Sequence, residues 1–326
     1  MLFQVYGENS IYQWLGLFMV LFVLIAVNEI IRRSKKGAII ILLIIPFLLT
    51  LYFIAIYAST ALGANWALNN PTYTNMNSWF HYAKLYASLA GCIGFMLIRY
   101  NWSLGKKKWF LFFPYAILAI NILIAVFSDF ESALKGWNTW WISSEGVKLY
   151  GGYHNVLNGL AGLLNILGIT GWLGIYVSKD KRDMLWPDMI WVYIIAYDIW
   201  NFSYTYNCLP THSWYCGVAL LLAPTIAAFC WNKGAWLQNR AHTLAVWCMF
   251  AQVFPLLQDQ GKFAVQSVQY ANNFIPMTVI SVVSLLANIV LVAIVIYKSI
   301  KLKKNPYTNE IFIDSKDYTK VIEKVI

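Results

Sequence analysis

The chain has 326 residues, of which 60% are hydrophobic and 12% charged, with a mean hydropathy of +0.57 and a formal net charge of +10. Soluble domains carry about twice that charged fraction, so a water-soluble globular fold is excluded. Nucleic-acid binding is excluded as well, because Lys and Arg fall in short loops between apolar stretches and form no separate basic domain.

In chain order, nine apolar stretches read as membrane spans: Ile11–Ile31, Ala38–Ser59, Trp79–Ile98, Trp109–Phe127, His154–Val177, Met184–Tyr206, Trp214–Trp231, His242–Leu257 and Phe274–Tyr297. The residues before Trp14 lack the basic start and cleavage site of a secretory signal, so the first stretch reads as a retained helix. Lipid cannot hydrogen-bond the backbone, so spans of this length are predicted to be helices, giving an all-α polytopic bundle over residues 1–304 in a cell membrane. The eighth span is the weakest, being short and holding Gln252 and Pro255.

Every second loop is basic: Arg32 to Lys36, Arg99 to Lys108, Lys179 to Arg182, Lys233 to Arg240 and Lys298 to Lys304. By the positive-inside rule these loops are cytoplasmic, which predicts the N-terminus outside and the C-terminus inside. Three longer outer segments are predicted to cap the bundle. Residues 60–78 are rich in Asn (Asn65, Asn69, Asn70, Asn75, Asn77), residues 128–153 carry Trp137, Trp140, Trp141, Glu145 and Lys148, and residues 258–273 are rich in Gln and Asn. Residues 305–326 read as a short, solvated cytoplasmic tail, with Ile311, Ile313, Val321, Ile322 and Val325 available for docking.

Cys92, Cys230 and Cys248 fall within spans, whereas Cys208 and Cys216 share the outer loop between the sixth and seventh. An oxidising exterior makes Cys208–Cys216 a predicted disulfide. His212 lies between them, but three ligand-type residues fall short of a closed metal site, so no metal is expected.

Polar groups within spans are costly when they face lipid, so they mark protein contacts or a water-filled cavity. Asp198 is the clearest case, with Asn201 and Thr205 at i+3 and i+7 and Tyr197 and Tyr204 flanking that face. The third span contributes His81 and Lys84, the fifth His154 and Asn158, the fourth Asn121, and the eighth Gln252 followed by Asp259. With alternating topology these groups all fall in the outer half, which predicts one outward-facing pocket centred on Asp198. Plainer readings apply elsewhere. Ser281, Ser284 and Asn288 of the ninth span read as helix-to-helix hydrogen bonds, and Gly159, Gly162, Gly168, Gly171 and Gly174 as close packing. Glu29 reads as paired with Arg32 or Arg33, and Asp188 as a first-turn residue favoured by the helix dipole.

The segments Asn28-Glu29-Ile-Ile-Arg32-Arg33-Ser-Lys35-Lys36-Gly37 and Ile-Ala-Tyr197-Asp198-Ile-Trp200-Asn201-Phe-Ser-Tyr204-Thr-Tyr-Asn207-Cys208 are similar to a family of polytopic bacterial membrane proteins catalogued only as a domain of unknown function. The resemblance covers most of the chain and implies no activity, cofactor or site.

No phosphate-binding glycine loop and no His-Glu-x-x-His zinc helix occurs, and no cofactor can be read from the sequence. The residues favour binding, with or without transport, of a cation, proton or small polar solute, with Asp198 carrying or compensating charge. An enzyme of the outer leaflet, a hydrolase or transferase using His81, His154 and Asp198, is the second reading. A non-catalytic sensor or assembly subunit is the third.

Overall fold

Long runs of Ile, Leu, Val and Phe without charge leave the backbone only one way to satisfy its hydrogen bonds in an apolar medium, which is to coil. In chain order the helices are α1 (Ser10–Arg33), α2 (Lys35–Ala61), α3 (Trp79–Arg99), α4 (Phe113–Lys135), α5 (Tyr153–Leu167), α6 (Trp191–Cys208), α7 (Trp214–Cys230), α8 (Trp236–Phe250), α9 (Ile275–Leu302) and α10 (Lys316–Ile322). The computed structural model describes residues 1–76, 79–144, 146–254, 258 and 261–325, so Asn77, Glu145 and Asp259 lie outside the described residues. Proline at the first turn starts α4 and α9, where a missing N–H costs nothing. α2 and α7 each contain one π-helical turn, at Ile40–Ile44 and Trp214–Ala219.

Among the described residues five helices, α1, α2, α3, α4 and α9, are long and apolar enough to cross a membrane. They turn large apolar side chains outward, including Phe18 and Phe22 of α1, Phe47 and Ile54 of α2, and Ile289 and Val290 of α9. The other four predicted spans are shorter or more polar than expected. The stretch predicted over 154–177 is helical only to Leu167, and an irregular segment follows it. The stretch predicted from Met184 becomes helical only at Trp191. Before it, β3 (Tyr176–Val177) pairs antiparallel with β4 (Met184–Leu185). The eighth stretch is helical over Trp236–Phe250. Apolar composition alone does not separate a buried loop or strand from lipid-facing helix, because both exclude water.

α5 packs between α4 and α9, α6 lies against α9, α5 and α4, and α7 and α8 form a pair against α1 and α3. Most of α6 and α8 is buried, so the helices richest in polar side chains are shielded by protein. The apolar core falls into two main clusters, one containing Val126, Ile194, Tyr197 and Trp200, the other Leu89, Tyr215, Ala245 and Met249.

At the end carrying the α4–α5 connection, β1 (Trp140–Ile142) and β2 (Lys148–Tyr150) form an antiparallel hairpin. The N-terminal segment is clasped at this same end. Phe3 bridges Ser267, Val268 donates its N–H to the Leu2 carbonyl, and the Tyr206 hydroxyl donates to the same carbonyl at 2.6 Å.

At the opposite, basic-loop end Arg32 makes a two-pronged ion pair with Asp183, both bonds 2.8 Å long, and a third bond to Glu29. Glu29 also accepts from Arg33 at 2.7 Å, so both pairings read from the sequence form. The tail is docked rather than solvated. Ile311 and Phe312 are buried, and their N–H groups donate to Asp188, which also accepts the Thr170 hydroxyl at 2.5 Å. Asp188 therefore holds the tail and does not sit in the first turn of α6. Lys233 pairs with Asp317, and Val321 of α10 packs against Leu185 and Ala235.

Candidate functional site

A cavity of about 420 Å³ opens at the hairpin end of the bundle. That volume suits a small ligand. Its walls come from His81 and Lys84 of α3, Asn121, Ser128 and Glu131 of α4, and Tyr197, Asn201, Tyr204, Thr205 and Cys208 of α6. Cys216 and Leu220 of α7 and Arg240, Leu244, Trp247, Cys248 and Ala251 of α8 complete them. Trp141, Ser143, Val147 and Leu149 of the hairpin, with Thr74, Asn75, Gln252 and Gln258, edge the mouth. Since a helix rises about 1.5 Å per residue, the lining of α8 from Ala251 to Arg240 spans about 16 Å. Arg240 therefore lies at the end of the α8 lining away from the mouth.

Seven of the ten solute-site residues predicted from sequence share this cavity: Tyr197, Asn201, Tyr204, Thr205, Lys84, His81 and Gln252. Asp198, His154 and Asn158 do not line it. Helical geometry explains the split. At about 100° per residue Tyr197, Asn201, Tyr204, Thr205 and Cys208 fall on one arc of α6, and Asp198 lies at its edge, facing α7. There its Oδ2 accepts the Thr225 hydroxyl at 2.6 Å, and Thr225 accepts the Trp236 indole N–H at 3.0 Å. Asp198 Oδ1 is buried without a partner among the described residues, and Arg240 lies within electrostatic reach of this carboxylate. His154 is bonded to the Tyr150 carbonyl at 3.2 Å and stacks on the Tyr150 ring. Asn158 is held by Asp129 and Ser284. His81, His154 and Asp198 are thus not gathered into one site.

The predicted disulfide is absent. All five cysteines are free thiols. Cys208 ends α6 and turns toward α4, where its Sγ lies 3.5 Å from Asp129 Oδ1 and 3.8 Å from Ser132 Oγ. Asp129 also accepts amide hydrogens from Asn155 and Asn158, at 3.0 and 2.7 Å, so this fully buried carboxylate fastens α4 to α5 and α6. The sequence reading missed it because its fourth span ends at Phe127; the signal available was an acid two residues beyond an apolar run.

Arg240 was also missed. It reads as a loop charge in the basic run from Lys233, yet it lies in the second turn of α8 with only 6% of its surface exposed. Its Nη2 donates to Asn201 Oδ1 at 3.4 Å, while Nε and Nη1 are buried with no partner among the described residues. An unmet donor on a buried charged group costs about 1–3 kcal/mol or more, so such a group calls for an explanation. Lys84 donates to the Tyr204 hydroxyl at 3.4 Å and lies 5.5 Å from that ring's centre. Cys216 and Cys248 lie within electrostatic reach of both Lys84 and Arg240, so the two cations converge on the same space. Among the described lining residues the acid is Glu131, which is ion-paired with Lys135 at 2.6 Å.

The plainer sequence readings hold for α9 and α5. Ser281 and Ser284 bond side chains of α6 and α5, and Asn288 bonds Asn165 at 2.8 Å. Gly159, Gly162 and Gly168 lie against Phe130, Trp200 and Leu291, leaving no space for a side chain.

A family model described as a family of unknown function, DUF5692, matches residues 7–324, which bears out the resemblance read from the sequence. No curated protein and no solved structure matches the chain.

Proposed function

The chain belongs to this family of unknown function, so its role has to be read from geometry, and we propose that it is a multi-pass membrane protein that binds, and moves across the bilayer, a small polar solute. The observation that carries this reading is the cavity, which gathers polar and charged side chains from four helices, α3, α4, α6 and α8, into one space open at one end. Polar groups at membrane depth are costly unless protein or water meets them, and here Lys84 meets Tyr204, Gln252 the His81 carbonyl and Arg240 Asn201 around a space large enough for a solute. The positive-inside rule would put the basic loops in the cytoplasm and the cavity mouth outside, with the N-terminus out and the C-terminus in. The hairpin and the 258–273 segment would then form the outer cap. Asp198 takes the role of a charge-compensating group behind the lining, balancing Arg240.

The test is thermal unfolding of the full chain in detergent with butyrate, phosphate, glucose and putrescine, each added separately. A bound solute raises the unfolding temperature, and Leu244→Trp, which fills the cavity, removes the effect. If none of the four changes the unfolding temperature, or Leu244→Trp leaves a shift intact, the reading is wrong.

A further inference from the structure

The polar floor of the cavity also carries information about ligand charge. Arg240 is more than nine-tenths buried, lines the cavity, and keeps two of its three nitrogens without an acceptor among the described residues. A guanidinium carries five N–H donors and no acceptor, so only acceptor oxygens can complete it. The acceptor it reaches among the described residues, Asn201, is neutral, engages one nitrogen, and lies at the long end of hydrogen-bond range at 3.4 Å. Asp198, the obvious internal counter-ion, is turned to Thr225 and makes no hydrogen bond to Arg240. The second cation, Lys84, acts on the same thiols from nearer the mouth. Between them the walls are apolar or aromatic: Leu220, Leu244, Trp247 and Tyr197.

We infer that the cavity takes a small organic oxyanion, a carboxylate or a phosphate monoester, with its oxygens on Arg240 and its body against Leu220, Leu244 and Trp247. This rests on the cavity being a solute site, and it adds the charge and orientation of the solute. Arginine suits this task because its planar donors match the several oxygens of one oxyanion, whereas a lysine offers a point charge. A cation would be repelled, and a neutral sugar could offer hydroxyl oxygens to the donors but would leave the buried positive charge uncompensated. Asp198, within electrostatic reach but outside the lining, balances Arg240 when the cavity holds only water without occupying the ligand's place. The same oxyanion chemistry is presented by a free solute and by the headgroup of an anionic lipid.

The experiment measures binding of butyrate and ethyl phosphate to the full chain in phosphatidylcholine nanodiscs, against chloride of equal ionic strength, with glucose and putrescine as probes of other charge. Both oxyanions are expected to bind, glucose and putrescine not to bind, and Arg240→Gln to weaken the oxyanions more than tenfold. Arg240→Lys keeps the charge and is expected to weaken them several-fold; it serves as the test variant if Arg240→Gln does not fold. Unchanged oxyanion affinity in a folded Arg240 variant overturns the inference. Binding of glucose or putrescine without the oxyanions overturns it while leaving the solute site standing, and binding of none of the four removes the solute site as well. Nanodiscs containing phosphatidic acid separate the two sources. Lower apparent butyrate affinity there assigns a lipid headgroup and unchanged affinity assigns a free solute, each supporting the oxyanion once the Arg240 effect is seen.

Discussion

Single charged side chains hold the basic-loop end together, and the Arg32–Asp183 pair is the strongest of them. Both side chains are at least nine-tenths buried, and Asp183 also accepts hydrogens from Asn232 and Gln238. Removing one partner of a buried ion pair leaves the other charge desolvated, at a cost of about 3–5 kcal/mol. Asp183→Ala is therefore expected to destabilise the chain by about that amount, against less than about 1 kcal/mol for Lys135→Ala, whose pair with Glu131 is exposed. Chemical unfolding of the two variants in detergent checks the contrast. Glu29 was legible as a partner of Arg32 because i+3 spacing on a helix is local geometry. Asp183 was not, because 151 residues separate it from Arg32 and no spacing rule spans that distance.

Among whole elements, the long apolar helices were the legible ones, because nothing but a helix satisfies a long uncharged backbone in lipid. The docked tail was not legible, since its few apolar residues gain their value from Gly171, Asp188 and Ala235, all distant in sequence. Asp188 makes this docking depend on pH. Burial pushes its carboxyl up to about 6, against the opposing bonds from Thr170, Phe312 and Ile311. A carboxyl raised above its ordinary value of 3.8 binds its proton more tightly folded than unfolded. Its contribution to stability is therefore full below about 4 and is lost as pH rises through about 6. The unfolding temperature of the wild type should fall across that interval relative to Asp188→Asn, which has no proton to lose; parallel curves for the two proteins would contradict the assignment.

For the molecule as a whole, apolar helices surround polar ones, and the cavity opens at the end opposite the basic loops. The orientation proposed from those loops predicts that Asn69→Cys, exposed in the connection between α2 and α3, reacts with a membrane-impermeant maleimide in intact cells. Lys303→Cys, at the far end of α9, should react only after lysis; the reverse pattern would invert the molecule. Charge counting located the basic end correctly, yet it assigned Arg240 to the loops when the side chain belongs to the cavity. One-dimensional position cannot separate a loop residue from one in the opening turns of a helix, although the two face different surroundings. The clasp between the N-terminal segment and Ser267 has a consequence for how such a molecule is made. Gln4 and Ser267 are 263 residues apart, so at about 5–20 residues per second the clasp closes tens of seconds after α1 emerges. Until then α1 must hold its place in lipid by itself, which its unbroken apolar surface allows. The polar α6 and α8 are synthesised later, when α1, α3 and α4 already stand in the membrane to receive them. The order of the chain thus delivers α1, α3 and α4 before the helices that need shielding, and α9 closes over α5 and α6 last.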